Sequence, residues 1–411
     1  MNGMEADLER LQFLREQRPA NGLLLGRESR LSPTAFPLTE GQIDFLEKLG
    51  PRLLTFLQAC NLMYRQSAKG KGPGFLREWL DAGKPAELLE LGLDPAIKNE
   101  LPLVIRPDLL LTEEGFALSE IDSLPGGIGM TAWLGETYAA LGEDVVGGGG
   151  MREAMRRLFP EGDVLIAEEG REYGPEFEWL FGQERVKRAE GYVVSEKPIY
   201  RFVEAFDWPE LGSLRTGYRP GVTRMTPPLK PFLEEKLWLA LFWLEPLRER
   251  WRRELGDRYD RDLRQLIPYS WVVNPEPLPV TAVLPQLNVH SWEQVKQFSQ
   301  KERELILKIS GFSPLAWGSR GVTLGSDVSG EEWARALEEA LTGFRTAPYL
   351  MQRYAKPKLV EHPYWSEEEG ALRMMKGRVR LCPYYFVEEG EARLKGVLAT
   401  VNPADKKSST G

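Results

Sequence analysis

The chain contains few of the side chains on which nucleophilic catalysis and zinc sites most often depend. Its 411 residues include two cysteines, Cys60 and Cys382, and two histidines, His290 and His362. Two cysteines cannot form a disulfide framework or a cysteine-rich zinc site, and two histidines weigh against chemistry built on histidine pairs. We expect both cysteines to be buried as small apolar groups, which is common for free cysteine; a catalytic thiol is the alternative.

The sequence also lacks an excess of positive charge and long apolar segments. The formal net charge is −8, which weighs against a nucleic-acid partner because duplex binding needs a basic surface. The most apolar helical run, residues 237–244, is too short to cross a bilayer. Residues 1–19 are charged throughout and contain no apolar signal core. We therefore expect a cytoplasmic protein without a membrane partner, and the sequence leaves the oligomeric state open.

What the chain does contain is a polar hairpin pattern in residues 106–127, RPDLLLTEEGFALSEIDSLPGG. The pattern predicts two short strands joined by a tight turn. Because side chains alternate between the two faces of a strand, Arg106 and Asp108 share one face of the first strand. Glu120 and Asp122 likewise share one face of the second.

The length of the turn decides whether these four side chains meet. A three-residue loop at 113–115 would set Asp108 opposite Glu120 and Arg106 opposite Asp122, whereas a shift of one residue would scatter them. Crowded carboxylates repel each other unless a cation lies among them, and hard oxygen ligands favour Mg²⁺. A solvated polar face of an ordinary hairpin is the alternative interpretation.

The end of this segment, from Glu120 to Gly127, resembles the metal-binding end of the ATP-grasp ligases. Their pattern is an Arg-x-Asp strand, a hairpin, and then Glu-x-Asn followed by Ser or Thr and Pro-Gly; the matching residues here are Arg106, Asp108, Glu120, Ser123, Pro125 and Gly126. Asp122 stands where Asn is usual. The resemblance implies that Asp108, Glu120 and Asp122 hold two Mg²⁺ ions. It also implies that Arg106 steadies the transferring phosphoryl group or the tetrahedral intermediate.

A second pattern lies in residues 305–325, LILKISGFSPLAWGSRGVTLG. An apolar strand carries Lys308 and leads into a loop that contains Gly311, Gly318 and Gly321. Glycines permit a tight backbone whose amides can approach phosphate oxygens, and the lysine supplies a positive charge. An ordinary hairpin loop explains the same glycines.

These residues resemble the nucleotide-binding half of the ATP-grasp fold, in which a Lys-Pro-Ser strand and a glycine loop hold the phosphates. Lys308, Ser310, Gly318 and Gly321 match this pattern, with Ile309 in place of the usual proline. The later strand, Pro348-Tyr-Leu-Met-Gln-Arg-Tyr, matches the strand that lines the adenine pocket through Gln352; Arg353 stands where glutamate is common.

Three further basic residues are candidates for phosphate contacts. Lys236 lies in a predicted long helix over residues 229–255 that is bent near Pro246. It corresponds to a second phosphate-binding lysine of the family, or it is a solvated helix lysine. Arg378 and Arg380 share one face of a strand that precedes a predicted hairpin turn at residues 388–390. These two side chains reach a phosphate or lie on the surface, and we take Arg380 as the catalytic candidate.

The order of the two patterns is reversed relative to ordinary ATP-grasp enzymes, which place the metal hairpin last. The chain therefore resembles the circularly permuted branch, which includes the glutathionylspermidine synthases. We predict a mixed α/β (α+β) fold: a circularly permuted ATP-grasp fold with a pre-ATP-grasp α/β domain, including strands at 163–167 and from 191. The predicted divisions are an N-terminal helical region (1–100), the metal hairpin (101–147), the pre-ATP-grasp-like domain (151–285) and the nucleotide-binding part (286–411).

The resemblance implies an ATP- and Mg²⁺-dependent ligase that joins a small-molecule carboxylate to an amine or thiol through an acylphosphate. A peptide or a polyamine-like molecule would be a typical substrate. Two alternatives remain open: a catalytically weak nucleotide-binding scaffold and an ATP-dependent phosphotransferase. In each case we expect residues 106–127 and 305–402 to act on one Mg²⁺-bound triphosphate.

Overall fold

The structure, a computed structural model, describes residues 3–20, 23, 30–277, 282–316, 318 and 320–404. It is a mixed α/β protein with two antiparallel sheets and one parallel sheet. Within the described residues, no helix combines the length and apolarity needed to cross a membrane. The polar C-terminal residues 406–411 lie outside the described part of the chain.

The described residues contain twelve α-helices and thirteen strands. The helices are α1 Gly3–Glu16, α2 Glu40–Ala68, α3 Gly74–Leu80, α4 Ala86–Leu93, α5 Ile128–Ala140, α6 Met151–Leu158, α7 Gly174–Phe181, α8 Gly212–Gly217, α9 Leu237–Leu241, α10 Arg248–Leu266, α11 Trp292–Lys296 and α12 Gly330–Thr342. The strands are β1 Val104–Thr112, β2 Gly115–Asp122, β3 Asp163–Ile166, β4 Val186–Arg188, β5 Ile199–Phe202, β6 Met225–Thr226, β7 Ser270–Val272, β8 Leu305–Ile309, β9 Val322–Leu324, β10 Tyr349–Arg353, β11 Leu359–Ser366, β12 Ala371–Glu388 and β13 Glu391–Pro403.

The chain divides into two compact units, and the first combines Met1–Leu54, Asp94–Leu229 and Pro357–Lys406. Its antiparallel sheet has the order β11-β12-β1-β2, with β13 also paired to β12. The long strand β12 pairs first with β11 and then with β1 along one edge, while β13 pairs with its other edge. The predicted hairpin is confirmed, but its turn is one residue shorter than the predicted 388–390, since Glu388 pairs with Glu391.

The parallel sheet of the first unit has the order β4-β3-β5-β6. All residues of β3 and β5 are buried, as expected for parallel strands that are covered on both faces. The strand predicted at residue 163 is thus confirmed. The strand predicted from residue 191 is wrong: residues 191–198 form no strand, Val193 is 74% exposed, and the next strand begins at Ile199.

One apolar core in the first unit joins the antiparallel sheet to the helices near it. Its members come from the second half of β12, from α5 to α7 and from β3 and β5. The buried members include Ile128, Phe177, Tyr200, Cys382 and Tyr384. This core therefore fixes the sheet face from which the polar hairpin residues project.

The second unit combines Thr55–Leu93 with Lys230–Lys356. Its antiparallel sheet has the order β7-β10-β8-β9, and one face packs on α12 through Trp333 and Leu337. The helix predicted over 229–255 with one bend near Pro246 is instead divided into shorter elements. Pro231 opens one 3-10 turn and Pro246 is the second residue of another, because proline suits the first turn of a helix but not the interior. Lys236 consequently lies at the N-cap of the short helix α9.

Candidate functional site

The polar hairpin of the first unit uses a different turn from the predicted one. Thr112 pairs with Gly115, so Glu113 and Glu114 alone form the turn. The three-residue loop that would set Thr112 opposite Phe116 is therefore wrong. By itself the shorter turn would shift the pairing by one residue and turn the polar side chains away from each other.

A register shift further along the hairpin restores the predicted pairing. Between Leu109 and Asp108 the partner residue jumps from Leu118 to Glu120, which leaves one extra residue on β2 in the manner of a β-bulge. Asp108 then pairs with Glu120, and Arg106 pairs with Asp122, as predicted. We call Arg106, Asp108, Glu120, Asp122 and Arg380 the carboxylate–arginine face.

Asp108 lies at the centre of this face and is 2% exposed. Its Oδ1 atom is 3.1 Å from Arg106 Nε, and it accepts a hydrogen bond from the Cys382 thiol at 3.3 Å. Its Oδ2 atom is 3.4 Å from Arg380 Nη1. A buried carboxylate must be paired in this way, because desolvating an isolated charge is costly.

Burial and charge act in opposite directions on this face. Burial would lower the pKa values of Arg106 and Arg380, but the neighbouring carboxylates outweigh it and raise both. Burial raises the pKa of Asp122 although Arg106, its ion-pair partner, opposes the rise. Burial and the Asp108 charge raise the pKa of the Cys382 thiol to about 12, so this thiol stays protonated at neutral pH.

The Pro-Gly-Gly turn after β2 is fixed by the same residues. The carbonyl oxygen of Gly126 accepts hydrogen bonds from Arg106 Nη1 at 3.0 Å and from the Tyr384 hydroxyl at 2.6 Å. A Cβ atom at Gly126 would lie 2.2 Å from the ring of Tyr173, so the turn can pack only without a side chain there. Tyr384 was not among the predicted residues; it follows Arg380 at even spacing on β12, but only the β1–β12 pairing brings it to Arg106.

The turn leads into α5, whose first amides bind a carboxylate from α7. Glu176 is 2% exposed and accepts hydrogen bonds from the N–H groups of Gly129 at 3.1 Å and Met130 at 3.4 Å. A negative charge at this position stabilises the positive end of the helix. The glycines after Asp122 therefore have a structural reason that is independent of any ligand.

A metal site is not preformed on the carboxylate–arginine face. Among the described residues, no three His, Cys, Asp or Glu side chains are grouped so that they could hold a metal ion. Asp108 and Asp122 instead share the guanidinium of Arg106, and Asp122 Oδ1 accepts a hydrogen bond from the backbone of Leu124 at 3.0 Å. The magnesium role of Asp108, Glu120 and Asp122 therefore stays a prediction.

In the second unit, three neighbouring strands carry a buried polar row. Lys308 Nζ on β8 donates to Gln352 Oε1 on β10 at 3.1 Å, and Gln352 Nε2 donates to Ser270 Oγ on β7 at 3.2 Å. The Ser270 hydroxyl donates in turn to the carbonyl of Pro268 at 2.9 Å. Because lysine only donates, this chain fixes the orientation of the Gln352 amide. Gln352 thus binds the predicted phosphate lysine directly.

Ser310 follows β8 and is completely buried. Its hydroxyl donates to the carboxylate of Glu235 and accepts from the N–H of Leu237 at 2.9 Å. Glu235 also forms an ion pair with Lys84 at 2.5 Å. Neither Lys84 nor Glu235 was among the predicted residues, and nothing in their local sequence marks them.

The loop after Ser310 holds the predicted glycines and one lysine contact. Lys236 Nζ donates to the carbonyl of Ala316 at 3.0 Å. A Cβ atom at Gly321 would lie 2.4 Å from the side chain of Ile309, whereas Gly318 has a positive φ of 62° and open space around it. Packing therefore explains Gly321, and backbone conformation explains Gly318.

Of the remaining arginine candidates, Arg380 contacts Asp108, whereas Arg378 Nη1 donates to the carbonyl of Ala404 at 2.9 Å. The first unit contains Asp108, Glu120 and Asp122 together with the arginine candidates Arg106, Arg378 and Arg380. Lys236, Lys308, Ser310 and Gln352 belong to the second unit. Joint action of the two sets on one nucleotide stays a prediction.

Comparison with known proteins gives a likeness in fold. No family model and no curated protein matches the chain. A solved glutathione synthetase-like effector from Globodera pallida, in its apo form, is similar with a TM-score of 0.52 and 11% identity, over 97% of this chain and 94% of that chain. A putative gamma-glutamylcysteine synthetase from Methylobacillus flagellatus KT matches with a TM-score of 0.37 and 11% identity, over 86% and 83%. Of these two likenesses, the first shows a shared fold.

Proposed function

We propose that the protein is an ATP- and Mg²⁺-dependent ligase that joins a carboxylate to an amine or thiol through an acylphosphate. The observation that carries the proposal is the pairing of Asp108 with Glu120 and of Arg106 with Asp122, which the ATP-grasp-like pattern predicts. The shared fold with a protein named as glutathione synthetase-like supports the same reaction class. The proposal names the substrates only by chemical class, as a carboxylate and an amine or thiol.

Magnesium would bind Asp108, Glu120 and Asp122 in this proposal. The donor set fits, because carboxylate oxygens are the ligands that Mg²⁺ prefers. Arg106 and Arg380 supply the positive charge that these aspartates need in the structure, so a metal ion would take over a role that the arginines fill. When bound, Mg²⁺ supplies charge neutralisation for the phosphates of ATP.

Arg106 and Arg380 would then be available for phosphoryl oxygens. A guanidinium group presents several donors in a planar fork that matches a phosphate. Both arginines are on paired strands, β1 and β12, so their backbones are rigid while their side chains exchange partners. Rigid placement of charge is the main source of catalysis in phosphoryl transfer.

Phosphate binding in the second unit is assigned to Lys308 and Lys236. Lys308 is 4% exposed and is aimed by Gln352, so its ammonium group is fixed before a ligand arrives. Ser310 holds the backbone near both lysines, and Gly318 and Gly321 shape the loop that follows. In this assignment Gln352 acts on the lysine, and contact with the adenine base is not required.

The chemistry needs no covalent nucleophile on the protein. An oxygen of the substrate carboxylate forms a bond to the γ-phosphorus as the bond to ADP breaks, which yields an acylphosphate. An amine nitrogen then attacks the acyl carbon, the C–O bond to phosphate breaks, and the nitrogen loses a proton. Electrostatic stabilisation by Arg106 and Arg380 serves both steps, since negative charge develops on oxygen in each.

The test is a turnover assay with defined omissions. Purified protein is incubated with Mg²⁺-ATP and pools of carboxylic acids, amines and thiols, while ADP, phosphate and coupled products are followed by chromatography and mass spectrometry. The expected result is ADP and phosphate release with one coupled product that requires both an acid and an acceptor. Assays without acids, without acceptors and without Mg²⁺ serve as controls.

The same assay separates the competing functions. A phosphorylated product that forms without any amine or thiol would make the protein a phosphotransferase and contradict the ligase proposal. ATP binding without ADP release in any pool would favour a nucleotide-binding scaffold. Absence of ATP binding, measured by calorimetry, would contradict all three.

A further inference from the structure

The second unit contains a buried ion pair, Lys84 with Glu235, to which the proposed function gives no role. Lys84 Nζ lies 2.5 Å from Glu235 Oε1, and the two side chains are 0% and 1% exposed. Burying two charges is costly even when they are paired, and apolar residues of similar size often replace such a pair without loss of stability. The pair therefore calls for an explanation beyond stability.

The Glu235 carboxylate accepts hydrogen bonds from the start of the loop that follows β8. It accepts hydrogen bonds from the Ser310 hydroxyl and from the N–H of Phe312 at 3.4 Å. Between these residues, a Cβ atom at Gly311 would lie 2.7 Å from the carboxyl carbon of Glu235. With the carboxylate in this place, position 311 has no room for a side chain.

Two further hydrogen bonds to Ser310 hold the backbone that follows Glu235. The N–H of Lys236 donates to the carbonyl of Ser310 at 3.1 Å, and the N–H of Leu237 donates to the Ser310 hydroxyl at 2.9 Å. Glu235 is adjacent to Lys236, and Ser310 is two residues after Lys308. One carboxylate thereby ties together the backbones that carry both proposed phosphate-binding lysines.

We propose that Glu235, held by its ion pair with Lys84, is a positioning residue that sets the start of the 311–321 loop and the placement of Lys236. The buried charge is retained because a carboxylate accepts several hydrogen bonds at once, which an apolar residue cannot do. The link to phosphate binding rests on the proposed function, whereas the link to the loop does not.

The loop is tested first, by hydrogen–deuterium exchange of the full-length protein without nucleotide. Ser310→Ala removes the acceptor of the Leu237 amide, and Glu235→Gln removes the charge that Lys84 neutralises. We expect exchange at Leu237 and Phe312 to accelerate about tenfold, as for one lost hydrogen bond. Protection of the first unit should stay unchanged.

Glu245→Gln is the matched control, since Glu245 is 78% exposed and lies 3.7 Å from Arg248; its exchange should equal that of the wild type. Unchanged exchange at both amides in Ser310→Ala and Glu235→Gln would overturn the proposal. Should Glu235→Gln fail to fold, Ser310→Ala decides the matter alone, because it deletes only a hydroxyl group.

The second arm measures kinetics with Mg²⁺-ATP. In Lys84→Met and Glu235→Gln we expect the KM for ATP to rise about tenfold, with kcat within about threefold of wild type because the reacting groups stay intact. A fall in kcat as large as the rise in KM would contradict a positioning role. If wild-type protein does not bind ATP, the proposed function fails, and the exchange arm still decides whether Glu235 orders the loop.

Discussion

The two polar clusters of this protein differ in origin and in charge balance. The carboxylate–arginine face takes Arg106, Asp108, Glu120 and Asp122 from one hairpin. Asp108 and Asp122 share the guanidinium group of Arg106, and Asp108 also pairs with Arg380. The polar cluster of the second unit consists of two sets of contacts, Lys84–Glu235–Ser310 and Lys308–Gln352, and each set joins segments far apart in sequence.

We expect the side chains of the first cluster to exchange partners when a ligand binds and those of the second cluster to keep theirs. The first cluster has three carboxylates and two guanidinium groups, and in the proposed function a cation would bind there as the arginines move. In the second, the ion pair matches one charge to one charge and is buried, so it suits a fixed scaffold. Four predictions test this contrast.

The largest effect is expected at Asp108. Asp108→Asn keeps the size of the side chain but removes the charge that Arg106 and Arg380 share. We expect Mg²⁺-dependent ADP formation to fall by about 10²–10³-fold, the range seen when one group that stabilises a transition state is lost. ADP release is measured at saturating Mg²⁺, and Glu120→Ala should behave in the same way.

Asp44→Asn is the control for this variant, because Asp44 forms an exposed ion pair with Lys48 that should contribute little. Near-ultraviolet circular dichroism checks that each variant is folded. Turnover at the wild-type level in Asp108→Asn or Glu120→Ala would refute the role of this face.

The second prediction concerns Gln352, for which sequence and structure suggest different roles. If Gln352 aims Lys308, Gln352→Leu should weaken ADP and GDP binding by a similar factor of about tenfold, the size of one hydrogen bond to a charged group. Isothermal calorimetry with both nucleotides measures this. Gln352→Glu, which retains an oxygen acceptor for Lys308, should bind ADP more tightly than Gln352→Leu. A selective loss of ADP binding would instead indicate contact with the base.

The third prediction compares two glycines of α5. Gly129→Ala should destabilise the protein by about 1–3 kcal/mol through overpacking, since the new Cβ atom would lie 2.8 Å from Glu176. Gly135→Ala should stabilise it by about 0.5–1 kcal/mol, because the nearest atom there is 3.9 Å away. Urea unfolding of both variants provides the measurement. Equal stabilities would contradict the close packing of the turn after β2.

The smallest effect is expected for the thiols. Burial raises the pKa of both cysteines, and that of Cys382 reaches about 12. Because a raised pKa leaves the thiol protonated well above neutral pH, a thiolate reagent should label neither cysteine in native protein at pH 8. In guanidinium chloride both should react. Rapid labelling of native Cys382 would contradict the burial of its thiol beside Asp108.

The parts of the fold that the sequence revealed are those governed by neighbours along the chain. Alternation of side chains placed Arg106 with Asp108 and Glu120 with Asp122, and the hairpin that ends in β13 followed from apolar alternation around Gly390. The turn after Thr112 was one residue shorter than predicted, and only the bulge near Asp108 preserved the pairing. The predicted strand register was correct although the predicted turn was wrong. This outcome shows how strongly the burial of one sheet face constrains strand pairing.

The parts that the sequence did not reveal depend on contacts between distant segments. Lys236 was predicted within a long helix with one bend near Pro246, but a further 3-10 turn at Pro231 leaves Lys236 at the N-cap of a short helix. Lys84 and Glu235 have no motif, because a buried ion pair is defined by the partner across space and by the exclusion of water. Tyr384 is an ordinary strand residue until β12 pairs with β1.

By itself, then, the sequence determined a mixed α/β class and one hairpin face with three carboxylates and an arginine, because strand periodicity is a local property. Tertiary structure alone decided that Arg380 and Cys382 would contact Asp108, that Gln352 would hold Lys308, and that Glu235 would be buried against Lys84. These contacts depend on which strands become neighbours and which charges lose water, and both are settled only when the whole chain has folded.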